Sequence, residues 1–150
     1  MVDFEPWQAT VPARIRAESL WKFIGYRKSL YLYEQVWDDT NTWKNDPRAW
    51  PLARQIIAST GSISANLEEG RGRGSNKEML YHYRIALASA RETKGWFFRA
   101  RNLVPEAELE SRMSIIDEII ALLVTEIAIQ RDRIQEDQPT YAVAEGYSNL

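Results

Sequence analysis

Residues 64–78 read SANLEEGRGRGSNKE. Glycines stand at 70, 72 and 74, with arginines at 71 and 73 between them and acids at 68 and 69 before them. Three readings compete: a loop that cradles phosphate, an arginine segment for RNA, and a turn between two helices. Gly70 stands where a helix C-terminal glycine would turn left-handed. Ser75-Asn76-Lys77-Glu78 fits a capping box, in which the serine hydroxyl takes a free backbone N–H of the next helix and the glutamate reaches back. The Walker pattern, a glycine four residues before Gly-Lys-Ser/Thr, is absent. The dinucleotide fingerprint needs a preceding strand, and a helical pattern precedes instead. The stretch is therefore first a helix–helix turn, and any chemistry there is secondary.

Upstream, a helix is expected over residues 47–69. Asp46 is placed to cap it and Pro47 to open it, with Pro51 tolerated only in the first turn. Leu52, Ile56, Ile63 and Leu67 form a stripe. Ala58, Ser59, Gly61, Ser62, Ser64 and Ala65 are small, which lets another helix axis come close. A first helix is expected over residues 17–37, carrying Leu20, Phe23, Ile24, Leu30, Tyr31 and Trp37, with Gly25 as a point of close helix approach. The turn formers DDTNTWKND follow it. Downstream of the capping box, a third helix is expected over 76–103, with Met79, Tyr83, Ala86, Leu87, Ala90, Phe97 and Ala100 inward. A fourth is expected over 105–136.

The fourth helix carries two apolar lines. Leu109, Met113, Ile116, Ile120, Leu123 and Ile127 step by four and three, a heptad seam. Beside them run Ile115, Ile119, Leu122 and Ile129. That second line reads either as a wide core-facing stripe or as a subunit interface, since soluble monomers seldom leave such a patch exposed. The result is an all-α bundle of four helices. It forms one domain over residues 1–136, with a loose tail at 137–150.

Net charge is -2, unevenly spread. Between Arg71 and Arg101 there are eight bases and two acids; between Pro105 and Gln138 there are nine acids and three bases. Two readings follow. Either the basic and acidic helices neutralise each other, or Arg71, Arg73, Lys77, Arg84, Arg91, Lys94 and Arg101 present a basic face to RNA or DNA. Cysteine is absent and His82 is the single histidine. That excludes thiolate catalysis and a cysteine metal site. A di-metal carboxylate site in a helix bundle wants Glu-x-x-His on two helices. Here Glu78 and His82 are four apart with no second histidine, so no metal or cofactor is expected. No hydrolase motif surrounds any serine, and no enzyme is expected. Asn66 and Glu69 read as structural, satisfying backbone groups around the glycine loop. The opening residues lack a signal-peptide pattern and no apolar run spans a membrane, so a cytoplasmic protein is expected.

Residues 62–70 (SISANLEEG), then Gly72, Ser75, Lys77 and Glu78, then residues 85–89 (IALAS) and Glu92, carry a resemblance. They are similar to the four-helix-bundle family first noticed in intervening sequences of bacterial 23S ribosomal RNA. That family also includes the accessory variability determinant of diversity-generating retroelements. Leu20-Trp21-Lys22 matches the usual opening of its first helix, and the resemblance covers about residues 18 to 135. It implies an antiparallel up-and-down four-helix bundle assembled as a ring-shaped homopentamer. In the retroelement branch it also implies a basic protein that associates with reverse transcriptase and RNA. This chain departs from the pattern in its sequence pI of about 5.5, in Gly95-Trp96, in its six tryptophans and in its long tail. The function expected is a non-enzymatic, oligomeric binding module associated with nucleic acid through the third helix. The alternative is a protein-interaction scaffold that binds no nucleic acid.

Overall fold

The computed structural model describes residues 3–136; the tail expected at 137–150 lies outside them. Two single-turn helices, α1 (Phe4–Trp7) and α2 (Ala13–Arg16), precede four long ones: α3 (Ile24–Thr42), α4 (Ala49–Gly72), α5 (Asn76–Arg99) and α6 (Glu106–Glu136). There is no strand among the described residues, and none of their helices is long and apolar enough to cross a membrane. α4 packs on α5, α5 on α6, and α3 on both α4 and α6. Leu32, Val36, Ile56, Ile63, Leu67, Phe97, Ile116 and Leu123 are fully buried between them.

The first long helix begins later and ends later than residues 17–37. Ser19–Lys22 form a 3-10 turn, and Phe23 is extended, with ψ 111°. The Phe23 ring folds back over Gly25, where an added Cβ would stand 2.5 Å from a ring atom. The glycine expected to admit another helix instead admits the side chain two residues before it. At the far end the turn formers are absorbed into α3. Thr40 Oγ1 donates to Val36 O at 2.8 Å and Thr42 Oγ1 to Asp39 O at 2.7 Å, so their hydroxyls bond back along the helix. Asp39 is held from outside α3, by Arg112 of α6.

Asp46 marks the entry to α4. Its carboxylate accepts the Arg48 backbone N–H at 2.9 Å and two guanidinium nitrogens at 3.0 and 2.8 Å. Those bonds, the side-chain ones first, hold its carboxyl down to about 2. Regular helix starts at Ala49, so Pro51 falls in the first turn, where its missing N–H leaves no broken bond.

α4 and α5 meet along small and hydroxyl side chains. Thr93 Oγ1 donates to Ser59 Oγ at 3.0 Å and Ser89 Oγ to Ser62 Oγ at 2.9 Å. Gly70 does not end the helix. It is helical and buried, and α4 runs on to Gly72. An added Cβ at Gly70 would lie 3.0 Å from His82 Cβ, 3.1 Å from the Met79 carbonyl and 3.2 Å from Tyr83 Cδ1. The need for glycine is therefore tertiary: it lets the first turns of α5 close on α4. Ser75 caps α5, its Oγ accepting the Glu78 N–H at 3.2 Å. Glu78 reaches back to the Ser75 hydroxyl at 2.9 Å, rather than to its backbone N–H. α5 ends at Arg99, and residues 100–103 form turns.

Ser75→Ala should cost about 0.5–2 kcal/mol. Gly70→Ala should cost about 1–3 kcal/mol through overpacking against backbone, offset by about 1 kcal/mol of helix propensity. Urea unfolding reads both. Wild-type midpoints for the two variants would show that neither contact holds the α4–α5 corner.

Candidate nucleic-acid interface

The seven bases expected to form one basic face divide into four groups. Arg71 and Arg73 sit at the end of α4. Arg71 Nε donates to Ser19 Oγ at 3.2 Å, and Arg73 is engaged by Glu69 one turn earlier. That bond first, then His82, holds the Glu69 carboxyl below the usual range. Lys94 turns towards α6 and pairs with Asp117 at 2.5 Å. Lys77, Arg84 and Arg91 lie exposed along α5, with no ion pair among the described residues. Arg101, beyond the helix, lays its guanidinium 4.5 Å from the Phe98 ring centre and donates to Phe98 O at 3.1 Å. Mutual neutralisation of α5 and α6 is thus confined, on the basic helix, to one lysine.

Two residues that the charge count passed over complete the face. Tyr81 is 62% exposed and Phe98 58%. Positions 77, 84, 91 and 98 are seven apart, and 81, 88 and 95 fall between them, so all seven lie on one side of a helix. Their alignment was readable as a heptad of bases and aromatics. It was obscured because aromatics were sought on the inward side only.

Asn66 and Glu69 bond no backbone group of the glycine loop, and Glu69 reaches that loop only through the Arg73 side chain. Asn66 Nδ2 donates to Ser62 O at 2.8 Å, and its Oδ1 lies 3.3 Å from His82 Nδ1. His82 Nε2 stands 3.7 Å from Glu69. The trio therefore ties α4 to α5 side chain to side chain. Beside it, the Tyr26 hydroxyl donates to Glu68 at 2.9 Å. Burial, then Glu68, pushes that hydroxyl above the ordinary phenol range. No cluster of three or more His, Asp or Glu side chains suited to a metal exists among the described residues.

The line expected at a subunit interface is also divided. Ile119 is fully buried in the core, Ile115 and Leu122 are half-buried, and Ile129 is exposed. Val124 is also exposed, five positions earlier and on another side of α6, and was not anticipated. Elsewhere, Trp37 and Trp50, 61% and 60% exposed, flank a cleft of about 380 Å³ between α3 and α4. Trp43, Ala49, Ala53 and Ile57 line it.

The chain is similar in structure to a crystallised protein of unknown function from Bacteroides thetaiotaomicron VPI-5482, described as from the S23 ribosomal protein family. The two are 25% identical, the match covers 70% of this chain and 96% of the other, and the TM-score is 0.66. Among curated proteins none matches this chain. The model of the 23S rRNA-intervening sequence proteins matches residues 22–125, and over that span lie α3, α4, α5 and most of α6. The chain belongs to the 23S rRNA-intervening sequence protein family.

Proposed function

We propose that this protein is a non-enzymatic binding module that associates with nucleic acid through the outer face of α5. The observation that carries this reading is the row Lys77, Arg84 and Arg91, exposed and unneutralised although the acidic α6 packs on the same helix. Cations held on a rigid helix meet phosphates without rearrangement, and most affinity for nucleic acid comes from such contacts. The framework is read as an antiparallel up-and-down bundle. In support, contacts run in opposite order along α4 and α5 (Ser59 with Thr93, Asn66 with His82) and along α3 and α6 (Lys28 with Glu118, Asp39 with Arg112). A homopentameric ring, as the family resemblance implies, would repeat the row on each subunit and add weak contacts by avidity.

An anisotropy titration against mixed-sequence RNA and DNA at low salt tests this reading. Wild type should bind, with log affinity falling by about 0.7–0.9 per contacted phosphate for each tenfold rise in salt. Lys77→Glu/Arg84→Glu/Arg91→Glu should abolish most of the binding. Absence of wild-type binding at low salt would overturn the proposal. The second reading, a protein-interaction scaffold, draws support from the Trp37–Trp50 cleft, whose apolar walls suit a partner's apolar side chain.

A further inference from the structure

We infer that the α5 face selects single-stranded over duplex nucleic acid, reading unpaired bases on Tyr81 and Phe98. This rests on the nucleic-acid reading above and names its ligand class. The two rings are the only large apolar side chains of α5 left more than half exposed among the described residues. Both fall on the same side of the helix as Lys77, Arg84 and Arg91. Seventeen positions apart in sequence, they stand about 26 Å apart along the axis. The three cations step by about 10 Å, and two of them, Arg84 and Arg91, lie between the rings. Ala88 sits at the middle of the row, exposed and short, so the strand meets no bulky side chain there. The Arg101 guanidinium lies over the Phe98 ring, 4.5 Å from its centre, so a base stacks on the ring's open side or on the guanidinium plane itself.

The chemistry of the alternation decides the ligand. Phosphates answer the cations in either form of nucleic acid. Rings need a base face, and a duplex has none to give, because its bases are stacked and present only edges in the grooves. A single strand can turn its bases out onto aromatic platforms while its backbone tracks the cations. Two acids flank the row, Glu78, which accepts from the Ser75 hydroxyl, and Glu92, which accepts from Trp96 Nε1 at 3.1 Å, and the three cations outnumber them.

The test is an anisotropy comparison of one labelled strand, free and annealed to its complement, with wild type, Tyr81→Ala/Phe98→Ala, Tyr81→Phe and the triple charge reversal. Both rings are exposed, so these changes leave the fold intact, as circular dichroism would verify. Wild type should prefer the single strand. Tyr81→Ala/Phe98→Ala should weaken single-strand binding by about 5- to 100-fold for each base lost, while duplex binding holds. Tyr81→Phe should retain wild-type preference, because stacking does not use the hydroxyl. Equal wild-type affinity for strand and duplex, or single-strand affinity unchanged by Tyr81→Ala/Phe98→Ala, overturns the inference. In both cases the electrostatic reading survives if charge reversal still weakens binding. No binding of either form overturns both.

Discussion

Arg112→Leu should lower the free energy of unfolding by about 3–5 kcal/mol. The Arg112 guanidinium meets the Asp39 carboxylate through two bonds, Nε to Oδ2 at 2.8 Å and Nη2 to Oδ1 at 2.9 Å. The side chains are 3% and 4% exposed, so both charges lie out of water. Removing the cation leaves a buried carboxylate with its strongest partner gone. That penalty, rather than the Coulomb attraction of the intact pair, sets the size of the loss. A domain of this size is ordinarily stable by only about 5–15 kcal/mol, so the variant should unfold at much lower urea. Asp39→Leu should behave similarly. Asp39→Leu/Arg112→Leu should recover much of the loss, because two apolar side chains need no partner. Single and double variants that lose the same amount would show that the bridge contributes through packing alone.

The same pair explains why α6 was legible as a helix but not in its register. The side chains buried along it are Arg112, Ile116, Ile119, Leu123 and Gln130, stepping by four, three, four and seven. That is a heptad seam with a polar residue at each end. A search for apolar periodicity discards those ends and settles on Leu109, Met113, Ile116, Ile120, Leu123 and Ile127, rotated to one side. The rotation is what moved Ile119 onto a supposed second surface. Charge counting fails in the same place: Arg112 adds one to a total, yet its charge is spent inside the core against a residue 73 positions away. Local signals fared better. The Ser75 cap and the expected start of the fourth helix at Pro105 depend on neighbours in sequence, and both mark helix beginnings. Gly70 lies between these cases. A glycine was needed there, but for the approach of α5 and not for a left-handed turn, and a single helix cannot show what packs on it. The outward row on α5 was half legible, since its cations stand out in the sequence while the exposure of Tyr81 and Phe98 is decided by packing.

Ile119→Glu should abolish the folded bundle rather than detach one subunit from another. Its side chain is fully buried, between Ile116 and Leu123 in the α6 seam. A carboxylate placed there has no buried cation to meet, since the Arg112 guanidinium is already bound by Asp39. Burying the charge unpaired costs several kcal/mol, to which the lost isoleucine adds about 2–5 kcal/mol. The total approaches or exceeds the stability available to such a domain. Far-ultraviolet circular dichroism should show most helix lost at room temperature. Ile119→Val removes only one methyl group and should cost about 0.5–1.5 kcal/mol, with helix content kept. Ile129→Glu gives the contrast: an exposed residue on the same helix should change helix content and stability little. A fall in mass by light scattering, confined to Ile129→Glu, would place the subunit contact on that outer stretch of α6. A helical, cooperatively melting Ile119→Glu would show instead that α6 can rotate to put this position in water, against the register described here.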